Sequence, residues 1–349
     1  MAVPQEDGTG LRVLQGTGIV AGLLALLSAW PVAAQSRTHA VIVTGIGGEP
    51  RFQAVFHEWG AMMVKAATER WGVPEEDVVF LTEQPDRAPD LTDGRSTKEE
   101  IAKALAAIGR KAGPDDVVFI LFIGHGSFAN NEARLSLPGP DVTAQELAVM
   151  IDGLGQSRVV VVNAASSSGA FLEPLSGANR IVITSTRSGM ERNLSKFGGW
   201  FVAAFAQDVA DTDKDGAVSM AEAFEYARLE TRRAYEADQT LLTEHAVLDD
   251  NGDGEGSGEV NRESADGALA MVTFLGRGAV VAGVEAPPDA SPALRALYEQ
   301  KHALERQLAD LRAVKDTMDP ERYESELERL LVDLALKNQE IRRMEGGGA

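Results

Sequence analysis

The chain contains no cysteine. That absence excludes disulfide staples, zinc–thiolate centres and any cysteine nucleophile. Basic residues are scarce as well: 33 Lys and Arg stand against 53 Asp and Glu, for a formal net charge of −20. Binding nucleic acid requires a basic face that displaces counterions from phosphates. None is visible, so no nucleic-acid partner is expected. A solvated acidic surface is the plain reading of the charge, and clustered carboxylates are candidates for divalent cations. Long apolar runs are also missing. The marked apolar stretch GIVAGLLALLSAW, at 18–30, is short for a full membrane span.

What is present fits a soluble globular protein, with 44% apolar and 25% charged residues in 349 positions. Residues 1–34 read as a signal peptide or N-terminal anchor. Arg12 precedes the apolar stretch, and Val32 and Ala34 supply the small residues of a cleavage site after Ala34. Glu6 and Asp7 make the leading segment less basic than usual, which keeps an uncleaved membrane tether open. The expected location is secreted or periplasmic, with N-terminal membrane anchoring as the alternative.

From residue 35 to 278 the pattern alternates strand and helix. HAVIVTGIG, Val78 to Leu81, Val117 to Ile123, RVVVVN and RIVITST read as five strands. Between them, the segments beginning RFQAVFHEW, STKEEIAKAL and TAQELAVM carry helical spacing, the second opened by a Ser/Thr–Glu capping pattern. Continuous apolar strands alternating with helices predict an α/β fold with a mostly parallel sheet covered on both faces. Its active site is then expected beyond the C-terminal strand ends. A proline-rich linker at 279–292 follows. Over 293–345, Leu294, Leu297, Leu304, Leu308, Leu311 and Met318 keep a heptad register, with Lys301 and Lys315 at two of its core positions. TMDP interrupts it, and Tyr323, Leu327, Leu330, Leu334, Ile341 and Met344 resume it. This predicts a coiled-coil-like helical hairpin, packed on its own domain or joining copies into a homo-oligomer.

Two strand ends carry chemistry. One runs into Gly124-His125-Gly126-Ser127, the next into Asn163-Ala164-Ala165-Ser166-Ser167-Ser168-Gly169. Neighbouring parallel strands deliver their ends to one crevice, so His125 and Ser166 are expected to meet as base and nucleophile. Gly126 offers a backbone N–H for an oxyanion. A plain turn role for the histidine is the competing reading.

FIGHGS, followed some forty residues later by NAASSSG, resembles the legumain-like (C13-type) cysteine peptidases of the caspase-like clan. Upstream, PRFQAVFHEW is similar to that family's Arg-x-Gln-Ala segment, and the resemblance spans roughly 38–210. It implies a caspase-like three-layer α/β fold and a peptide or protein ligand. By position, His125 matches the catalytic histidine, Gly126 the oxyanion donor and Ser166 the catalytic cysteine. Arg51 matches an arginine that recognises Asn or Asp at P1, a role suited to a buried guanidinium fork. Glu49-Pro50 stands where the family tends to have asparagine, and no acid that orients His125 is identifiable. Thiols beside histidine ionise readily, whereas a serine hydroxyl needs an oriented base. A pseudo-peptidase keeping its peptide groove is therefore expected. An active Ser–His peptidase cutting after Asn or Asp is the alternative, as is an assembly protein acting through the hairpin.

A separate motif, DTDKDGAVSMAE at 211–222, fits an EF-hand loop. Asp211, Asp213 and Asp215 take its first three ligand positions and Gly216 the turn. Ala217 offers a carbonyl, Ser219 takes position 9, and Glu222 is the closing carboxylate. A structural Ca²⁺ ion is expected, against a solvated turn that caps a helix. Asp249 to Gly254 imitates half such a loop, but Val260 stands where the closing carboxylate belongs, so a surface loop is expected there.

Overall fold

A computed structural model describes residues 37–207, 209–212, 217–261, 264–276, 291–313 and 318–346. The chain divides into two units, Met1–Ala34 and Gln35–Ala349, and all described residues belong to the second. The expected leader at 1–34 and most of the linker at 279–292 lie outside them. No helix among the described residues is long and apolar enough to cross a membrane.

The main sheet has seven strands: β1 (Thr38–Thr44), β2 (Val78–Thr82), β3 (Gly94–Arg95), β4 (Val117–Ile123), β8 (Arg158–Asn163), β9 (Arg180–Thr184) and β10 (Val247–Asp249). Their order across the sheet is β10-β9-β8-β4-β1-β2-β3, and all pairings are parallel except β10 with β9. β4 is buried along its whole length, as its unbroken apolar run requires. Alternate residues of the strands supply two cores. Ala40, Ile42, Phe119, Leu121, Val160 and Val162 face α1 (Pro50–Lys65), α5 (Phe197–Ala206) and α6 (Met220–Ala237). Val41, Val43, Val118, Ile120, Val159 and Val161 face α2 (Lys98–Gly109), α3 (Ala144–Asp152) and α4 (Leu172–Leu175). The result is the three-layer α/β arrangement with a mostly parallel sheet.

Local signals place these helices. Thr97 caps α2 by accepting the Glu100 N–H, and Thr143 with Glu146 forms a reciprocal capping box at α3. A second, antiparallel sheet of β5 (Gly126–Ala129), β6 (Glu132–Leu135) and β7 (Val142–Thr143) grows from the end of β4. At the opposite, N-terminal end of the main sheet, His39 and Asp77 are both buried. Asp77 gathers His39 Nδ1 at 3.1 Å, Lys111 Nζ at 2.7 Å and Arg37 Nε at 3.5 Å.

The C-terminal hairpin comprises α7 (Pro292–Ala313) and α8 (Pro320–Gly346). Leu294, Tyr298 and Ile341 form one cluster, and Leu311 with Leu330 the centre of another. Most of the described heptad residues therefore pack arm against arm, Met344 excepted. The Leu308 side chain and Lys315 lie outside the described residues. Val332, Leu336 and Met344 remain exposed on α8.

Candidate active site

The adjacency of β4 and β8, in register from Val117↔Arg158 to Phe122↔Asn163, brings the two motif-bearing strand ends together. Gly126 and Ser166 touch through their backbones as well. A Cβ on residue 126 would sit 2.4 Å from the Ser166 carbonyl oxygen, so only glycine permits this approach. The Gly126 N–H donates to Ser166 Oγ at 3.1 Å, and the Ser166 hydroxyl donates to the Gly126 carbonyl at 3.2 Å. Ser166 is 3% exposed. Its hydroxyl is thus bonded in both directions to one backbone unit, and the expected oxyanion donor is engaged by the expected nucleophile.

His125 reaches the same crevice but bonds elsewhere. Its Nε2 lies 3.3 Å from the Gly47 carbonyl oxygen, in the loop after β1. A carbonyl only accepts, so the nitrogen in this bond is the protonated one. A general base needs an unprotonated nitrogen within reach of the nucleophile. Among the described residues no hydrogen bond joins His125 to Ser166. The ring is held edge-on by Phe52 and Phe56, with centroids 5.7 and 5.2 Å away. The Gly47 peptide is fixed in turn by Glu83, whose Oε2 accepts the Gly47 N–H at 3.0 Å. The partner that orients His125 is therefore a carbonyl rather than a carboxylate. Backbone acceptors leave no side-chain signature, so sequence reasoning missed Gly47 and Glu83.

The other two serines of the strand end are structural. Ser167 has φ 58°, a left-handed conformation uncommon for a residue with a side chain, and its buried hydroxyl has no partner. Ser168 is fully buried in a hydroxyl cluster with Ser185 at 3.1 Å and Thr186 at 3.2 Å.

Arg51 departs from the buried arginine that suits P1 recognition. It opens α1 with 70% of its side chain exposed and pairs with Glu49 at 3.0 Å. Its guanidinium lies 4.4 Å over the Phe52 ring, the same ring that packs on His125. Arg51 therefore stands at the mouth of the crevice, neutralised by its neighbour.

In the candidate metal loop, Asp213, Asp215 and Gly216 lie outside the described residues. α5 and α6 flank the loop as entering and leaving helices. Glu222 accepts the Thr212 N–H at 2.8 Å and the Ser219 N–H at 2.9 Å, linking both arms of the loop. Ser219 also caps α6 by accepting the Glu222 N–H. Among the described residues no three acidic or imidazole groups cluster as metal ligands. In the second acidic loop, Asp249 accepts the N–H groups of Gly252 and Gly254 at 3.0 and 3.1 Å. That carboxylate shapes its own turn, in line with a surface loop.

Among solved structures, the chain is similar to the Drosophila initiator caspase Dronc at 13% identity and a TM-score of 0.42, covering 71% of this chain and 93% of that one. It is similar to Raptor from Chaetomium thermophilum at 10% identity and a TM-score of 0.32, covering 50% of this chain and 18% of that one. No curated protein matches the chain. Arg51 lies outside the segment that a family model matches, whereas His125, Gly126, Ser166 and the 211–222 loop lie inside it. That segment, residues 99–247, matches the Peptidase C13 family, the peptidases that the two strand-end motifs resemble.

Proposed function

We propose that this chain is a peptidase homologue that holds peptide in the β4–β8 crevice without cutting it. One observation carries the reading: the Ser166 hydroxyl is bonded both ways to Gly126, while His125 donates to Gly47. A serine hydroxyl becomes nucleophilic only when a base takes its proton in the attack geometry. Here neither the base nor the oxyanion donor is directed at the bond to be broken. Phe52 and Phe56 supply apolar walls, and Arg51 at the mouth suits an Asn or Asp side chain once Glu49 yields it.

Incubating the protein with a labelled Asn- or Asp-containing peptide tests this directly. Saturable binding by fluorescence anisotropy is expected, with the peptide intact by mass spectrometry and affinity reduced by Arg51→Ala. Cleaved peptide would favour the active Ser–His peptidase. Absence of binding would remove the groove.

We further propose that the 211–222 loop binds one structural Ca²⁺ ion. Asp211, Asp213, Asp215, Ser219, Glu222 and the Ala217 carbonyl would hold it, and hard oxygen donors at this spacing suit that cation. The support is Glu222, which already ties the two arms of the loop. The ion would brace the α5–α6 connection. At a Ca²⁺ concentration of about 100 Kd the gain in stability should reach roughly 2.7 kcal/mol, read as a rise in Tm that Asp211→Ala abolishes. No rise, or one indifferent to Asp211→Ala, contradicts the site. Placement outside the cytosol, secreted or periplasmic, is proposed from the 18–34 segment alone.

A further inference from the structure

A cavity of about 270 Å³ opens between the segment after β9, the segment before β10 and the outer flank of α6. It belongs to a chain of net charge −20, yet its lining gathers Arg187, Arg228 and Arg232. Arg228 is the inner one, with its side chain 14% exposed and held by Glu225 at 2.7 Å and Glu259 at 3.3 Å. Arg187 and Arg232 stand exposed at the rim; among the described residues neither side chain has an ion pair, and Glu191 Oε2 accepts only the backbone N–H of Arg187, at 3.0 Å.

Thr231, which also lines the cavity, is 4% exposed, and its Oγ1 has no hydrogen-bond partner. A helical threonine ordinarily satisfies its hydroxyl on the carbonyl one turn earlier. Leaving such a donor unpaired in a buried position is costly unless a ligand completes it. The acids nearby do not cancel the rim charges. Glu244 spends its oxygens on Ser195 Oγ at 2.7 Å and the Lys196 N–H at 2.7 Å, and burial pushes its carboxyl above the usual range. Glu259 is committed to Arg228, and Glu191 to His245 at 2.6 Å.

We propose that this cavity binds the oxyanion head of a small acid, a phosphate or a carboxylate, clamped by Arg187 and Arg232, toward which the buried Thr231 hydroxyl turns to donate a hydrogen bond. Guanidinium forks match the oxygens of either anion. The volume falls just below that of pockets for drug-sized ligands, which fits a small solute. The site is separate from the β4–β8 crevice and does not depend on whether peptide is bound or cut there. The two regions are neighbours nonetheless, since Ser185 lines the cavity and its hydroxyl donates to the Ala165 carbonyl at 2.9 Å.

Thermal unfolding of the full chain with inorganic phosphate, and separately with succinate, tests the site at ionic strength matched by NaCl. A saturable rise in Tm is expected with at least one anion. Phosphate alone assigns the site to phosphate groups, and succinate alone to carboxylates. The double change Arg187→Gln with Arg232→Gln touches exposed side chains and should weaken binding by about tenfold or more without altering the ligand-free Tm. Thr231→Val should weaken binding several-fold while the ligand-free Tm holds or rises, because it deletes an unpaired buried hydroxyl. No saturable shift with either anion, or a shift that the double change leaves intact, overturns the proposal.

Discussion

Ser166→Cys is expected to raise turnover of an Asn- or Asp-containing peptide at least about a hundredfold over the native chain, the lower bound of what a working general base contributes. The argument rests on how the two side chains use the same space. The serine hydroxyl both donates and accepts well, and Gly126 satisfies both capacities at 3.1 and 3.2 Å. A thiol is a weak donor and a weak acceptor, so it gives up little by leaving that backbone unit. Once it leaves, the Gly126 N–H becomes available to a developing oxyanion. A thiol beside a histidine also ionises near neutral pH without a carboxylate behind the ring, which a hydroxyl cannot do. The Gly47 carbonyl that orients His125 is then a sufficient partner. Cysteine that gains no turnover while the variant still binds peptide would mean that the crevice lacks more than a nucleophile.

Asp77→Ala is expected to destabilise the fold by about 1–3 kcal/mol, the range for leaving a buried hydrogen-bonding group without its partner. Asp77 is 2% exposed and meets His39, Lys111 and Arg37. Alanine would leave the Lys111 ammonium without its 2.7 Å acceptor and the His39 ring without its Nδ1 partner. At roughly 2–4 °C per kcal/mol for a domain of this size, Tm should fall by about 2–12 °C. Asp77→Asn, which keeps an acceptor for His39 or Lys111, should cost less. The pair sits at the N-terminal end of the sheet, so peptide binding at the other end should survive in the folded fraction.

The same residue predicts a pH dependence. Burial raises the Asp77 carboxyl pKa, but the Lys111 hydrogen bond and the charges of His39, Lys111 and Arg37 outweigh it and hold it below the ordinary value. A carboxyl with a depressed folded pKa contributes stability that is complete above its unfolded pKa, about 3.9. That contribution is lost as pH falls through the folded value. Acid unfolding of the native chain should therefore steepen below about pH 4, and Asp77→Ala should flatten that limb. An unchanged acid limb would mean that other carboxylates dominate it.

Much of this architecture is legible in the residues themselves. VVFILFI is apolar without interruption and RVVVVN carries four successive valines between Arg158 and Asn163, as strands covered on both faces require, and β4 begins and ends where its run does. Side by side, the two strands deliver His125 and Ser166 to one crevice. The small β5–β7 sheet is harder to read, because Gly126–Ala129 is half exposed and only four residues long. β10 is shorter still and joins the sheet antiparallel beside β9. The bonds that decide the chemistry run through backbone atoms of Gly47 and Gly126, where residue identity says nothing. Arg228, Thr231 and Arg232 could have been found, since three- and four-residue spacing puts them on one face of α6. Their partner Arg187 comes from a distant loop, and only the fold unites them.

We propose that Ser166 stands at the position of a nucleophile without acting as one. The most direct measurement is peptide turnover by the native chain set against Ser166→Ala, with both proteins folded and binding peptide equally. Equal rates, no higher than the uncatalysed background, are predicted. Native turnover that disappears in Ser166→Ala would contradict the claim and make this chain an active Ser–His peptidase.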